Sequence, residues 1–340
     1  MLLRKGSQAD IDLIQSSIWK PRHYFTWGFS DEVADNRFPL LAAGQLCVFA
    51  GSEGSGKSTW SIEMAKRNAE REAGIPTGYL SLEVDPYRMI QRYSERRAGL
   101  TRFDVRDGID VEDDRNAAIT ATEHATKEFI NSGLHLFPKL EEKQSSASIA
   151  SIEQLCADEY GPRLLFIDNL AELEPDVLVK DEYSKHDIII RRLLQICKST
   201  QTTIVLLHHL AKPKLAEPLN INSIKGNNVV ITKADVVVAI DKHKEANPNW
   251  ECSRMRADGK MVDPKIRKAF LALAPQIEVR KVEVFKDRDF DVRGVMGYLK
   301  LTNGKLDCMT YEELRSTHFL WDDEKLRYAE ALEHFDLQPY

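Results

Sequence analysis

The sequence lacks an apolar run of membrane-spanning length, a paired cysteine motif and an apolar N-terminal core. A spanning helix needs about 18–20 apolar residues, and a signal peptide needs an apolar core near the N-terminus. A cytoplasmic protein without membrane attachment is therefore expected. The five cysteines are scattered and form no C-x-x-C pair. This spacing argues against a zinc ribbon or a disulfide framework and favours a reducing compartment.

Positive charge is not in excess either. The chain has 47 Lys and Arg against 53 Asp and Glu, for a net charge of -6. This balance excludes a uniformly basic surface, so a nucleic-acid site would have to be a local basic patch, such as the inside of a ring. Low-complexity segments and internal repeats are also missing. The 340 residues, 43% of them hydrophobic, fit one large α/β domain with extensions or two small domains.

The strongest positive signal is a glycine-rich segment that fits G-x-x-x-x-G-K-[ST], the phosphate-binding P-loop. An apolar run at residues 46–50 precedes it and predicts a buried parallel strand. Residues 60–72 follow it with a helical pattern, which gives the strand, loop and helix that the motif requires. The candidate nucleotide-binding residues are Gly51, Ser52, Glu53, Gly54, Ser55, Gly56, Lys57, Ser58 and Thr59.

The residue types of this segment suit phosphate chemistry. Glycines let the backbone turn tightly and direct its N–H groups at phosphate oxygens. Lys57 would place its charge against the β- and γ-phosphates, and the Ser58 hydroxyl would ligate Mg²⁺. The helix that follows would point its N-terminus at the phosphates. The segment therefore predicts ATP and Mg²⁺ as cofactors.

Two carboxylates stand near the ends of further apolar strands. Residues 77–84 predict a second strand with Glu83 close to its end, and residues 163–170 give the Walker B pattern with Asp168. Functional groups gather at the carboxyl ends of the strands in an open parallel sheet. Glu83 is thus a candidate base that orients the attacking water. Asp168 is a candidate Mg²⁺ ligand.

Two histidines end the next predicted strand, at residues 202–209. His208 and His209 could sense the γ-phosphate through hydrogen bonds and couple it to the following loop. A structural role for the pair stays open at this point.

A long polar connection follows at residues 210–233. Loops of this length in compact domains are usually functional or mobile. Its lysines suit contacts with a nucleic-acid backbone that do not read bases, although a plain surface loop remains the alternative. The candidate DNA-binding residues are Lys212, Lys214, Lys225 and Lys233.

The remaining core segments are predicted to be strands. Residues 234–240 form an apolar run, residues 277–285 alternate like an exposed or edge strand, and residues 294–306 indicate a hairpin turning at Asn303 and Gly304. The expected organisation is an N-terminal arm at 1–27, an ATPase domain at 28–307 and a helical tail at 308–340, which could dock a partner.

Together these motifs resemble the RecA-like P-loop ATPases, and within them the DnaB/RepA-type hexameric replicative helicases of plasmids and phages. The likeness covers roughly residues 28–307. Residues 79–83 look like the Ser-Leu-Glu strand whose glutamate is the catalytic base in that family. Residues 225–235 look like the stretch after its DNA-binding loop. Lys286 and Arg288 look like the K-x-R that reaches a neighbouring subunit's nucleotide as a lysine and an arginine finger.

The resemblance implies a RecA-like core with a mostly parallel sheet flanked by helices. It also implies an ATPase that assembles head-to-tail, as a hexameric ring, and moves along single-stranded DNA to separate duplex DNA. A further replication protein could dock through the C-terminal tail. Two other functions remain open, because one core serves many purposes. The first is a RecA/Rad51-like recombinase that forms filaments on DNA, and the second is an ATP-dependent loader or switch that acts on a protein partner.

Overall fold

The computed structural model describes the greater part of the predicted ATPase domain. The described residues are 24–29, 38–71, 75–100, 104, 108–109, 112–137, 147–179, 181–210, 224, 228–242, 278–289, 293–302 and 305–309. The N-terminal arm lies almost wholly outside these ranges, as do nearly all of the C-terminal tail and the predicted turn at 303–304. Among the described residues, no helix combines the length and apolarity needed to cross a bilayer.

The described chain alternates strands and helices. The strands are β1 (Tyr24–Phe25), β2 (Leu41–Ala42), β3 (Leu46–Gly51), β4 (Thr77–Ser81), β5 (His135–Phe137), β6 (Ala147–Ser148), β7 (Leu164–Asp168), β8 (Leu173–Glu174), β9 (Thr203–His209), β10 (Val236–Lys242), β11 (Glu278–Asp287), β12 (Gly294–Thr302) and β13 (Lys305–Cys308). The helices are α1 (Lys57–Glu70), α2 (Pro86–Arg97), α3 (Glu112–Ile130), α4 (Ile149–Ala157), α5 (Glu182–Thr200) and α6 (Asn228–Lys233), with a 3-10 turn at Leu170–Glu172.

Nine of these strands form one sheet in the order β13-β12-β11-β10-β3-β9-β7-β4-β5. The six strands from β10 to β5 are parallel, and β11, β12 and β13 extend the sheet in antiparallel fashion. The parallel strands therefore all end at one edge, called here the carboxyl edge, and start at the opposite, amino edge. The sequence-based prediction of a mostly parallel sheet is confirmed.

Helices cover both faces of the sheet because the central strands are apolar on both sides. All six residues of β3 are buried, as a central parallel strand requires. One core cluster joins α1, α2 and α3 to one face, with Trp60 of α1 among its largest buried side chains. The other cluster joins α4, α5 and α6 to the opposite face. This packing fixes the strand ends whose side chains form the candidate site.

Helix α5 begins at Glu182, where the Asp181 carboxylate accepts a hydrogen bond from the Ser184 N–H and caps it. Two predicted boundaries shift. The strand expected through residue 84 ends at Ser81, so Glu83 lies beyond it. The prediction of a loop through residue 233 is wrong for its last six residues, which form α6.

The pairing of β10 with β11 contains a bulge. Val284 lies opposite Val238 and Lys286 lies opposite Val237, which leaves Phe285 unpaired in this ladder. Phe285 packs against the core cluster that contains α6. The next residue points to the same side, because the Lys286 Nζ donates hydrogen bonds to two carbonyl oxygens of α6. Two consecutive side chains therefore occupy one face of the sheet.

Candidate nucleotide site

The P-loop connects the carboxyl end of β3 to the start of α1. Gly56, directly before α1, has φ of 93°, a left-handed conformation that favours glycine. At Gly51 a Cβ atom would lie 2.6 Å from the Ser55 Oγ and 3.0 Å from the Ile240 carbonyl oxygen. Gly51 and Gly56, the two glycines of the motif, therefore stand at positions where this backbone requires glycine.

Ser58 and Asp168 meet across the site. The Ser58 Oγ donates a hydrogen bond of 2.9 Å to the Asp168 Oδ2, and the Tyr79 hydroxyl donates to the same oxygen at 3.2 Å. Ser61 lies 2.9 Å from the Tyr79 hydroxyl and completes the chain of hydrogen bonds. Within the described part of the chain, the buried Asp168 Oδ1 has no hydrogen-bond partner.

This arrangement fits Mg²⁺. A buried carboxylate oxygen that lacks a hydrogen-bond partner is unfavourable unless a positively charged group contacts it. Mg²⁺ prefers oxygen ligands and retains several of its waters, so a hydroxyl and one carboxylate can hold it. Burial raises the pKa of Asp168, while Lys57 and the Ser58 hydrogen bond lower it. These two residues, together with the Tyr79 hydrogen bond, therefore favour the negative charge that a metal site requires.

Lys57 lies beside these ligands with little exposure to solvent. The residue is 6% exposed, and its Nζ lies 3.3 Å from the His209 Nδ1. Burial lowers the pKa of Lys57, and the carboxylates of Asp168 and Glu83 counteract that effect. A desolvated ammonium held in this way interacts strongly with phosphate oxygens, because the local dielectric is low.

Glu83, Asn169 and His209 form a second network at the same edge. The Asn169 side-chain amide donates to the Glu83 Oε1, and the His209 Nε2 lies 3.2 Å from the same oxygen. The Asn169 Nδ2 also lies 3.1 Å from the His209 Nε2. A proton on Nε2 lets His209 donate to Glu83 and accept from Lys57 through Nδ1. One tautomer then satisfies the Glu83 and Lys57 contacts, and in it the Asn169 amide donates to Glu83 and not to the ring.

Sequence reasoning missed Asn169, although its position offered a signal, since it directly follows the Walker B aspartate at the carboxyl edge. The two histidines also separate. His208 is buried on the other face of the sheet, where its ring lies 5.9 Å from that of His186. The structure brings only His209 to the site, as the alternation of side chains along β9 requires.

Two further contacts reach the P-loop from the neighbouring strands. The Ser52 Oγ donates a hydrogen bond to the Asp241 Oδ1 at the end of β10. The Arg280 Nε donates to the Ser55 carbonyl oxygen at 2.8 Å. Neither Asp241 nor Arg280 was found from the sequence, because both approach from strands far along the chain.

Lys286 and Arg288 lie at the opposite edge of the sheet. Asp287, between them, pairs with Val236 at the start of β10, whereas the P-loop begins beside Ile240 near its end. The separation along the strand is about 13 Å at 3.3 Å per residue. These two side chains are therefore remote from the P-loop of their own subunit.

Each of these two residues has partners within the subunit. The Arg288 Nη1 donates to the Asp235 Oδ1 at 2.7 Å, and its Nη2 donates to the Lys233 carbonyl oxygen at 3.2 Å. The Lys286 Nζ lies 2.9 Å and 2.8 Å from the Ile231 and Thr232 carbonyl oxygens. Burial lowers the pKa of Lys286, with the Arg288 charge as the second cause.

The candidate DNA-binding lysines are mostly outside the described residues. Lys212, Lys214 and Lys225 fall there, and only Lys233 is placed, at the end of α6.

Comparisons with known proteins agree with this geometry. A family model described as an AAA domain matches residues 33–214. The replicative DNA helicase DnaB of Treponema pallidum (strain Nichols) is 24% identical over 213 residues, which are 63% of this chain. The match covers 47% of that helicase, so the chain spans about half the length of this curated relative.

Two solved structures resemble the fold. One is described as an ATPase domain, with a TM-score of 0.64 and 14% identity, covering 90% of this chain and 100% of that one. The other is a DnaB-like replicative helicase described with its interactions with primase. It has a TM-score of 0.63 and 15% identity, and covers 88% of this chain and 68% of that one. The RecA-like helicase ATPase fold expected from the sequence is confirmed.

Proposed function

The chain belongs to the AAA domain family, and on that premise we propose that it is an ATP- and Mg²⁺-dependent replicative motor. In this proposal it assembles head-to-tail into a hexameric ring, moves along single-stranded DNA and separates duplex DNA. The observation that carries the proposal is the convergence of Lys57, Ser58, Asp168 and Glu83 at one edge of a RecA-like sheet. That constellation supplies the groups that phosphoryl transfer needs.

The P-loop would hold the nucleotide. Its N–H groups and Lys57 would bind the phosphates, and Ser58 and Asp168 would hold Mg²⁺, which supplies positive charge to the reacting phosphates when bound. The hydrogen bond between Ser58 and Asp168 keeps both ligands close before the nucleotide arrives. Little rearrangement is then needed on binding, which favours affinity.

Glu83 would orient the attacking water and accept its proton. Its oxygen is already positioned by the Asn169 amide and by His209. His209 also contacts Lys57. Loss of the γ-phosphate beside Lys57 would therefore be transmitted to Glu83 through the imidazole ring of His209. We assign His209 the role of γ-phosphate sensor and His208 no role in the site.

Assembly would complete the site. Lys286 and Arg288 lie at the amino edge of their own sheet, so they can serve only a nucleotide bound by another subunit. A head-to-tail contact, closing as a ring, places one surface of a subunit against a different surface of the next, and we propose that it brings this amino edge to the neighbour's P-loop. The positive charges would then stabilise the transferring phosphoryl group in trans. The interior of the ring would hold single-stranded DNA, gripped by Lys212, Lys214, Lys225 and Lys233.

Two rival functions share this core. A recombinase would form filaments on DNA without separating strands, and a loader or switch would hydrolyse ATP on a protein partner. The likeness to replicative helicases favours the motor. One of the structural neighbours is described with its interactions with primase. By analogy we propose a replication protein as the further partner of this chain, docked through the C-terminal tail at 308–340.

The central test is the ATPase rate with and without single-stranded DNA, with particle images from the same samples. Strong stimulation by DNA together with closed six-membered rings is expected, followed by strand separation of a forked duplex. Stimulation with filaments would transfer the assignment to the recombinase. An ATPase rate that is the same with and without DNA, together with a stable complex with another protein, would favour the loader or switch.

Neutralising the loop lysines should weaken DNA binding in a salt-dependent way. In the triple variant with Lys212, Lys214 and Lys225 changed to alanine, we expect the slope of log K against log salt to fall by about 0.7 for each phosphate that is no longer neutralised. Fluorescence anisotropy with a labelled oligonucleotide over a salt series measures this slope. A control variant neutralises Lys127, Lys185 and Lys198 on α3 and α5, removing the same charge elsewhere. Equal slopes for the two variants would place the DNA site outside this loop.

A further inference from the structure

Two charged side chains from the strands beside the P-loop hold its tip, the segment from Ser52 to Ser55. Arg280 of β11 reaches one end of the tip and Asp241 of β10 reaches the other. The tip is closed on itself by a hydrogen bond of 3.1 Å from the Ser55 N–H to the Ser52 carbonyl oxygen. A single turn of backbone is therefore tied to the sheet at both ends.

Arg280 is an unusual residue for its position. It is 1% exposed and ranks among the largest fully buried side chains of the described chain. A buried guanidinium is very costly without hydrogen bonds and a balancing charge. Its hydrogen bond to the Ser55 carbonyl oxygen is thus strongly maintained. A strand that needed only packing would hold an apolar residue at this position, as β11 does at Val282 and Val284.

The bond from Arg280 also orients a neighbouring N–H group. The Ser55 carbonyl and the Gly56 N–H belong to one planar trans peptide, so they point in opposite directions. When Arg280 holds the oxygen, the Gly56 N–H must face the other way. Gly56, on the N–H side of this peptide, has a positive φ of 93°. A glycine at this position would otherwise let the peptide rotate.

Asp241 acts on the other end of the tip. The residue is 8% exposed, and its carboxylate accepts the hydrogen bond from the Ser52 hydroxyl. Ser52 occupies a position where the P-loop motif accepts any residue, so its hydroxyl is available for this contact. The hydrogen bond between Ser52 and Asp241 limits lateral movement of the tip. The hydrogen bond from Arg280 to the Ser55 carbonyl limits rotation of the peptide between Ser55 and Gly56.

We propose that Arg280 and Asp241 form a clamp that holds the P-loop ready for phosphate, with Arg280 as a positioning residue that aims the Gly56 N–H at the nucleotide. The inference rests on the proposed function in one respect, namely that this loop binds a nucleotide. The clamp lowers the ordering cost of nucleotide binding, because a loop fixed in advance loses less freedom on binding.

The experiment measures the affinity of the full chain for a fluorescent ADP analogue with Mg²⁺. Arg280→Met keeps the length of the side chain and removes its donors, and should weaken binding roughly tenfold, as loss of a charged hydrogen bond does. Arg280→Lys keeps an ammonium donor within reach of the Ser55 oxygen and should recover most of that loss. In turnover assays Arg280→Met should raise KM and leave kcat nearly unchanged, the signature of weakened ground-state binding.

Val282→Ala is the matched control. It removes buried volume from the same strand, and its side chain points into the core rather than at the P-loop. We expect it to lower the melting temperature and leave ADP affinity unchanged. If Arg280→Met binds ADP as tightly as Val282→Ala does, the clamp is refuted and Arg280 only stabilises the fold.

A third variant keeps the test decisive if Arg280→Met fails to fold. Ser52→Ala removes the hydroxyl that Asp241 holds without altering a buried charge, and should weaken ADP binding several-fold. Unchanged ADP affinity in Ser52→Ala would then overturn the proposal. Failure of the wild-type chain to bind any nucleotide would instead overturn the proposed function, and the clamp with it.

Discussion

Replacing Lys57 by alanine is expected to abolish ATP hydrolysis. The ammonium is largely buried and is influenced by the charges of Asp168 and Glu83, so its interaction with the phosphates is little screened by water. Removing one such preorganised donor lowers turnover by about 10²–10³-fold. Here the loss should be larger, because Asp168 and Glu83 would remain as unbalanced negative charges beside the phosphates.

Phosphate release under saturating MgATP measures this effect. Lys198→Ala, on the exposed end of α5, is the control for removing one lysine, and its turnover should match that of the wild type. A thermal melt distinguishes lost catalysis from lost folding. If Lys57→Ala retains turnover within about twofold of the wild type, the contribution usual for such a donor is absent and the P-loop assignment fails.

Arg288→Ala should suppress hydrolysis in a way that a second mutant subunit can reverse. An arginine finger supplied in trans is worth about 10³–10⁵ in rate. Arg288 lies at the edge opposite its own P-loop, so the variant keeps a complete set of Lys57, Asp168 and Glu83 in its own site. It lacks only the residue that it would lend to the neighbour.

Mixing tests this directly. A Glu83→Gln subunit has an impaired site and an intact Arg288, so it can serve the site of an Arg288→Ala subunit beside it. Random assembly of an equal mixture gives about a quarter of interfaces with both groups intact, and hydrolysis should reappear in that proportion. Arg191→Ala on α5 is the control for removing an exposed arginine. If no mixing ratio restores activity, Arg288 acts within its own chain, through its ion pair with Asp235.

The sequence predicted those parts of the site that depend on short-range patterns. The P-loop, the strand before it and the Walker B strand are each a local run of residues, and all lie where their patterns placed them. The carboxylates of Asp168, at the end of one parallel strand, and Glu83, just beyond the end of another, led correctly to one shared edge. His209 could have been separated from His208 by the alternation of side chains along β9, which puts only one of them on each face.

Other parts depend on contacts between distant segments and leave no local signal. Arg280 reaches the P-loop from 225 positions away, and nothing near Arg280 in sequence indicates a phosphate site. The extent of α6 was also missed, because its six residues gain most of their stability from packing against α5 rather than from helix propensity. Lys286 and Arg288 were assigned from resemblance alone, and their distance from their own P-loop became evident only from the strand order.

The bulge at Phe285 has a consequence for length variation among related chains. Removing Phe285 would leave Val284 and Lys286 on opposite faces, as in a regular ladder, with Lys286 still directed at α6. Inserting one residue between Arg280 and Val284 would turn one end of β11 onto the wrong face, and either the hydrogen bond to the P-loop or those to α6 would be broken. Deletions are therefore expected to be tolerated at position 285, and insertions are expected to be absent from the segment before it.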